Sequence, residues 1–155
     1  ATSRIKSSED PGRPASEIIN QVQLSRTIGK NYVGHVHWSA KALMQNRGGI
    51  TSALAKSVYN APALVPPMPW ASKSEPPAPG ASATKTRGGT RVRWSRVPAA
   101  SKYVLQARYG SRWSTMAVTH GGRFDFTLSG SPGAVAVSAV DRYGTTSRPT
   151  VLARK

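Results

Sequence analysis

TRVRWSRVPAASKYVLQARYGSRWSTMAVT, residues 90–119, decides the architecture of the C-terminal half of this chain. In its first eight residues Val92 and Trp94 share one side of an extended segment, and Arg91, Arg93 and Ser95 share the other. That period-two alternation marks a strand with one buried face. KYVLQARYG (102–110) and RWSTMAVT (112–119) continue the texture, with Gly110 between them. RFDFTL (123–128), GAVAVSAVD (133–141) and TTSRPTVLA (145–153) extend it at spacings of about ten residues. Gly121-Gly122, Gly130-Ser131-Pro132-Gly133 and Tyr143-Gly144 supply the turns. Six to seven short strands within about 70 residues predict a small antiparallel β-sandwich over 86–155. Trp94, on one face with Val92, is expected to anchor its core.

Upstream, the proline-rich stretch 61–85 has neither helical nor strand period. Its second part, 71–85, is expected to be a spacer. Its first part is too apolar for that, so Leu64, Val65, Met68 and Trp70 should be docked on something. Further upstream the pattern is helix, strand, helix. Ser16 suits an N-cap and Glu17 a first turn, and Ile18, Val22, Ser25 and Ile28 form a stripe ending at Gly29. Tyr32–Trp38 has β-type composition, and Ala53–Tyr59 resumes helical spacing. A strand flanked by helices points to an α/β unit with a parallel sheet. One such unit cannot cover both faces of its strand, so the first 70 or so residues are expected to be the tail of a larger α/β domain.

The 155 residues carry 22 Lys and Arg against six acidic residues, a net charge of +16. A field of that sign attracts nucleic acid, acidic glycan or an anionic membrane surface. The cations are scattered, unlike those of a disordered basic tail. Zero cysteines exclude disulfides, thiolate metal sites and cysteine nucleophiles. No apolar run reaches the roughly 20 residues a membrane span needs. ATSRIKSSEDPGRP (1–14) has neither an initiator Met nor an apolar signal core, and reads as the interior of a longer polypeptide.

YVGHVHWSAKALMQ (32–45) holds the densest candidate chemistry. His35 and His37 would point to one face of a strand, a spacing that can ligate a metal given a third ligand. His120 is remote in sequence and no carboxylate accompanies the pair. The preferred reading is two histidines hydrogen-bonded between a strand and its covering helices, with no metal and no cofactor. Tyr109, Arg112, Trp113 and Arg123 interleave aromatics with arginine, a composition that suits stacking of single-stranded nucleic acid. Without an RNP-like strand, zinc finger or helix-turn-helix, nucleic acid is the lesser reading. The acidic residues are Glu9, Asp10, Glu17, Glu75, Asp125 and Asp141. A glycosidase of the usual kind needs two carboxyl groups about 5–10 Å apart, and no Gly-x-Ser-x-Gly elbow occurs. No catalytic residue is assigned, and the chain alone is expected to be inactive.

SEIINQVQLSR (16–26), YVGHVHWSAKAL (32–43) and YNAPALVPPMPW (59–70), in that order, resemble the C-terminal end of the bacterial family-10 glycosyl-hydrolase-like proteins. Those are (β/α)8-barrel enzymes of the cell envelope, and a member acts on denuded peptidoglycan glycan strands. RVRWSRVPAASKYVLQARYG (91–110) and VAVSAVDRYGTTSRP (135–149) are similar to parts of the fibronectin type III-like domain that commonly follows the barrel. The resemblance implies an α/β barrel remnant, the last βα units of a TIM-type barrel, over 1–70. A linker over 71–85 and a fibronectin type III-like all-β sandwich over 86–155 would follow. It also implies that Tyr32–Trp38 is the last barrel strand, whose C-terminal end faces the active site.

Trp38, His37 and Ser39 become the substrate-binding candidates, with Lys41 and Glu9–Arg13 near the rim. Trp38 has two readings, an aromatic platform for a sugar ring or a plug in the barrel top. His37 either donates to a sugar hydroxyl or packs against a helix. The catalytic carboxylates are expected upstream, the partner is bacterial cell-wall glycan, and the location is the periplasm or the outer membrane. The alternative is a non-catalytic basic module that holds acidic glycan or nucleic acid.

Overall fold

A computed structural model describes residues 5, 11–28, 34–71 and 74–153. The chain divides into two compact units, Ala1–Asn60 and Ala61–Lys155.

Among its described residues the first unit is built from three short helices. Helix α1 spans Ala15–Thr27, α2 Ala40–Met44 and α3 Ile50–Lys56, with a 3-10 turn at Arg47–Gly49. Pro14 rather than Ser16 occupies the N-cap of α1, which starts two residues earlier than expected. Proline suits a helix start because its missing N–H is one the first turn leaves unpaired anyway. Ile18 and Val22 are buried as the stripe requires, whereas Ile28 caps the helix exposed. Gly29 lies outside the described residues. Helix α3 begins three residues before the predicted Ala53, because Asn46 takes over its start. The Asn46 Oδ1 accepts from Thr51 N at 2.9 Å and Ser52 N at 3.2 Å, satisfying donors the first turn leaves unpaired. Ile5, Ile18, Ile50 and Leu54 form the buried cluster.

The strand expected at Tyr32–Trp38 is not formed over its described part. Residues 34–37 are irregular and Trp38 is a bend, while Tyr32 and Val33 lie outside the described residues. A strand exists only as part of a ladder that pairs its N–H and C=O groups. Among the described residues of this unit the only bridge joins Ile5 to Arg13. The described residues of the first unit are therefore helical or irregular, and no barrel remnant is visible among them.

The second unit is a sandwich of seven antiparallel strands. They are β1 Ala81–Thr86, β2 Gly89–Trp94, β3 Lys102–Tyr109, β4 Arg112–His120, β5 Asp125–Leu128, β6 Ala134–Val140 and β7 Thr150–Ala153. One sheet has the order β1-β2-β5 and the other β4-β3-β6-β7, the arrangement expected of a fibronectin type III-like domain. Val92, Trp94, Tyr103, Leu105, Leu128, Val135 and Val137 fill the space between them. Trp94 is 5% exposed and serves as the core anchor the alternation predicted. Its ring lies 5.7 Å from that of Tyr103, whose buried Oη accepts from Val97 N at 2.8 Å.

The sandwich uses more of the proline-rich stretch than its sequence suggests. Strand β1 starts at Ala81, inside the expected spacer. Pro79 is buried, and its carbonyl accepts from Thr150 Oγ1 at 2.6 Å. Further upstream, Met68 N donates to Tyr143 O at 2.9 Å. Gly144, at φ +84, lies against the backbone of Val65–Pro67, which would crowd a Cβ at 3.1–3.2 Å. The segment 62–68 is thus docked on the sandwich. Of the four apolar residues expected to dock, Leu64 and Met68 are half-buried, while Val65 and Trp70 are exposed.

Candidate functional site

The predicted site residues lie on the irregular segment 34–39 that leads into α2. Ser39 occupies the N-cap position of α2, yet its side chain makes no capping bond. Trp38 is 73% exposed. His37 is half-buried, and its Nε2 lies 2.6 Å from Tyr59 Oη. His35 Nε2 reaches the same phenol oxygen. The His35 ring is stacked parallel to Tyr59 at 5.6 Å, and His37 meets both edge-on. Sequence reasoning placed Tyr59 in a helical stripe and missed it as the partner of both histidines. No local pattern signals a contact between residues 22 and 24 apart.

The phenol has one O–H to give. It can donate to at most one imidazole, so at least one ring must bring its own Nε2 proton. Two neutral rings satisfy that arrangement. The pKa values agree in direction, both lying below the ordinary 6.5. Partial burial is the main cause for each; Arg26 adds to the effect at His35, and His35 adds to it at His37. Arg26 is held nearby by donating from Nη2 to Val58 O at 2.9 Å. A groove of about 120 Å3 separates Ile18, Val22 and Ser25 of α1 from His35–His37.

Among the described residues no three His, Cys, Asp or Glu side chains gather as a metal cluster. Three of the four described carboxylates serve other partners, and the fourth, Glu75, is exposed in the proline-rich stretch. Glu17 accepts from Gln21 Nε2 at 2.8 Å, and Asp141 accepts from Tyr143 N and Thr145 N. Asp125 pairs with Arg91, whose hydrogen bond holds the carboxyl below its usual range. Glu9 and Asp10, expected near the rim, lie outside the described residues. Lys41 is exposed in α2.

The four residues of the nucleic-acid reading do not form one strip. Trp113 pairs in register with Arg108, while Tyr109 points to the opposite face of β3 and donates from Oη to Ser129 O. Arg112 sits at the start of β4, and Arg123 lies over Phe126 of the other sheet, 5.2 Å from its ring centroid.

No protein-family model matches the chain. A Bacillus subtilis (strain 168) protein described as glycosyl hydrolase YngK is 28% identical over 118 residues, covering 72% of this chain and 23% of that protein. The chain therefore spans about a quarter of the length of this curated relative. Among solved structures, an Fn3-like protein from Clostridium thermocellum has a TM-score of 0.41 at 26% identity, over 49% of this chain and 86% of that one. The glycoside hydrolase domain of Endo-D from Streptococcus pneumoniae R6 has a TM-score of 0.43 at 16% identity, over 52% of this chain and 15% of that one. The chain is thus similar to part of a glycosyl hydrolase, and its second unit is a fibronectin type III-like sandwich by its own strand order.

Proposed function

We propose that this chain is the C-terminal part of a cell-envelope glycoside hydrolase of the family-10 glycosyl-hydrolase-like kind, acting on peptidoglycan-type glycan of the bacterial wall. The likeness to a glycosyl hydrolase over 118 residues carries the reading. In it, the first unit is the end of a (β/α)8 barrel, and the segment before Trp38 becomes a strand when barrel neighbours pair with it. Trp38 forms one wall of the glycan cleft. Its 73% exposure in this chain leaves a ring face on which a sugar can stack. His37 lends a neutral imidazole and Ser39 a hydroxyl for hydrogen bonds to the sugar. The catalytic carboxyl pair comes from elsewhere in the longer protein, since Glu17, Asp125 and Asp141 are engaged otherwise and Glu75 is exposed in the proline-rich stretch.

The test compares melting temperature with kcat/KM for Trp38→Ala in the longer protein, on denuded glycan strands. The expected result is a fall in kcat/KM of about tenfold or more, or about 1.4 kcal/mol, with little change in melting. A plug would instead cost about 3–5 kcal/mol of stability. A large drop in melting temperature with normal kcat/KM would remove Trp38 from the site, and an inactive longer protein would sink the hydrolase reading. The 155-residue chain alone is expected to release no sugar from the same strands.

A second reading, a basic module for acidic glycan or nucleic acid, is favoured by the charge of the second unit. After Asn60 the chain carries 14 Lys and Arg against three acidic residues. Binding of that kind is lost steeply as salt is raised.

A further inference from the structure

The four-stranded sheet turns one face to the core and the other outward. On the outward face the register sets Arg108 beside Trp113, Gln106 beside Thr115 and Val104 beside Ser138. The Arg108 guanidinium lies over the Trp113 ring, 5.9 Å from its centroid, and Trp113 is 41% exposed. A groove of about 370 Å3 runs across Val104, Gln106, Thr115 and Ser138, and Leu64 of the docked segment walls it. Trp113 does not line the groove itself; it stands two residues from Thr115 on the same face of β4, about 7 Å along the strand. Arg108 Nε is buried without a hydrogen-bond partner among the described residues.

These residues combine a flat aromatic face with an amide and two hydroxyls. Such side chains both donate and accept hydrogen bonds, as sugar hydroxyl and acetamido groups do. A peptide strand could add on this side only at the free edge of β4, beside the groove rather than over it, because β3 is already paired on both sides, with β4 and β6. Single-stranded nucleic acid would want successive aromatic platforms. Here Tyr109, the next aromatic in β3, faces the other way and bonds to Ser129.

We infer that this groove is a glycan-binding site separate from the Trp38 segment. Trp113 is the stacking platform, Gln106, Thr115 and Ser138 read polar substituents, and Arg108 orients the indole. The choice of a glycan of N-acetylated sugars rests on the hydrolase reading, whereas the position of the groove does not. Its role is to hold the protein on its polymer.

The test is titration of the 155-residue chain with chitohexaose, followed by amide NMR, at low and at raised salt. The expected result is saturable binding that survives raised salt, because stacking is not screened as ion pairing is. Trp113→Ala should weaken it about tenfold or more, and Trp38→Ala should leave it unchanged. Should Trp113→Ala disturb the fold, the pair Gln106→Ala and Thr115→Val should still weaken binding while the spectrum stays dispersed.

No binding, or binding indifferent to these groove variants, overturns the inference. So does binding lost with Trp38→Ala, or capture of oligo(dT) through Trp113 with none of chitohexaose. Failure of the hydrolase reading shows elsewhere, in turnover of soluble oligosaccharide by the longer protein, which Trp113→Ala is expected to leave unchanged.

Discussion

Tyr59 joins His35 and His37 through its phenol oxygen. Both imidazoles lie below the ordinary 6.5, so the folded chain binds fewer protons than the unfolded chain near that pH. The stability conferred by the neutral pair is complete above 6.5 and drains as pH falls through 6.5 toward the lower folded values. Histidine ring NMR of the full chain should give midpoints below 6.5 for His35 and His37. Arg26→Gln should move the His35 midpoint upward, since the guanidinium is one of its two causes. A midpoint at or above 6.5 for both rings would count against the paired geometry.

In the second unit, Tyr103→Phe should cost about 1–3 kcal/mol by denaturant unfolding, because Val97 N then loses its buried acceptor. An unchanged unfolding midpoint would refute that role. Residue-level legibility follows this division. Trp94 was readable because its neighbours two residues away share its environment. Tyr59 and Gln106 were not, because what makes them interesting comes from distant segments.

At the scale of elements, alternation made β2 through β7 visible and left β1 hidden. The stretch ASATKT is exposed along most of its length, so it shows no apolar period. What holds it is pairing with β2 through a turn that ends at Gly89. Gly89 adopts φ +139, and a Cβ there would collide with the Leu128 carbonyl oxygen of β5. Only glycine tolerates both conditions. Gly89→Ala should therefore destabilise the sandwich by more than the about 1 kcal/mol of an ordinary glycine effect. The measurement is the denaturant midpoint beside Gly110→Ala, whose positive φ is strained but whose Cβ meets open space. Equal losses at both positions would show that crowding at Leu128 is unimportant. The strand expected before Trp38 failed for the complementary reason. Its composition favours β-structure, but composition supplies no partner, and an unpaired extended segment leaves its backbone to water.

Across the whole molecule the two units differ in how much core they own. The sandwich has two sheets closing on Trp94, Tyr103, Leu105 and Val137, a complete enclosure. The first unit has a four-residue cluster of Ile5, Ile18, Ile50 and Leu54 and three short helices. Domains this small rarely stand alone without a disulfide or metal, and the sequence has no cysteine. Residues 61–155 should accordingly give a well-dispersed amide NMR spectrum on their own, and residues 1–60 should not. The boundary itself is testable, because the sequence suggested 86 as the start of the sandwich. Starting there removes all of β1 except Thr86, together with the Pro79 carbonyl that accepts from Thr150 and the segment docked at Tyr143 and Gly144. A chain of 86–155 should then melt well below 61–155 and expose β2 as a new sheet edge prone to self-association. Equal melting temperatures for the two would show that the proline-rich stretch is a passive spacer after all. Dispersion from 1–60 alone would show that the first unit needs no larger barrel around it.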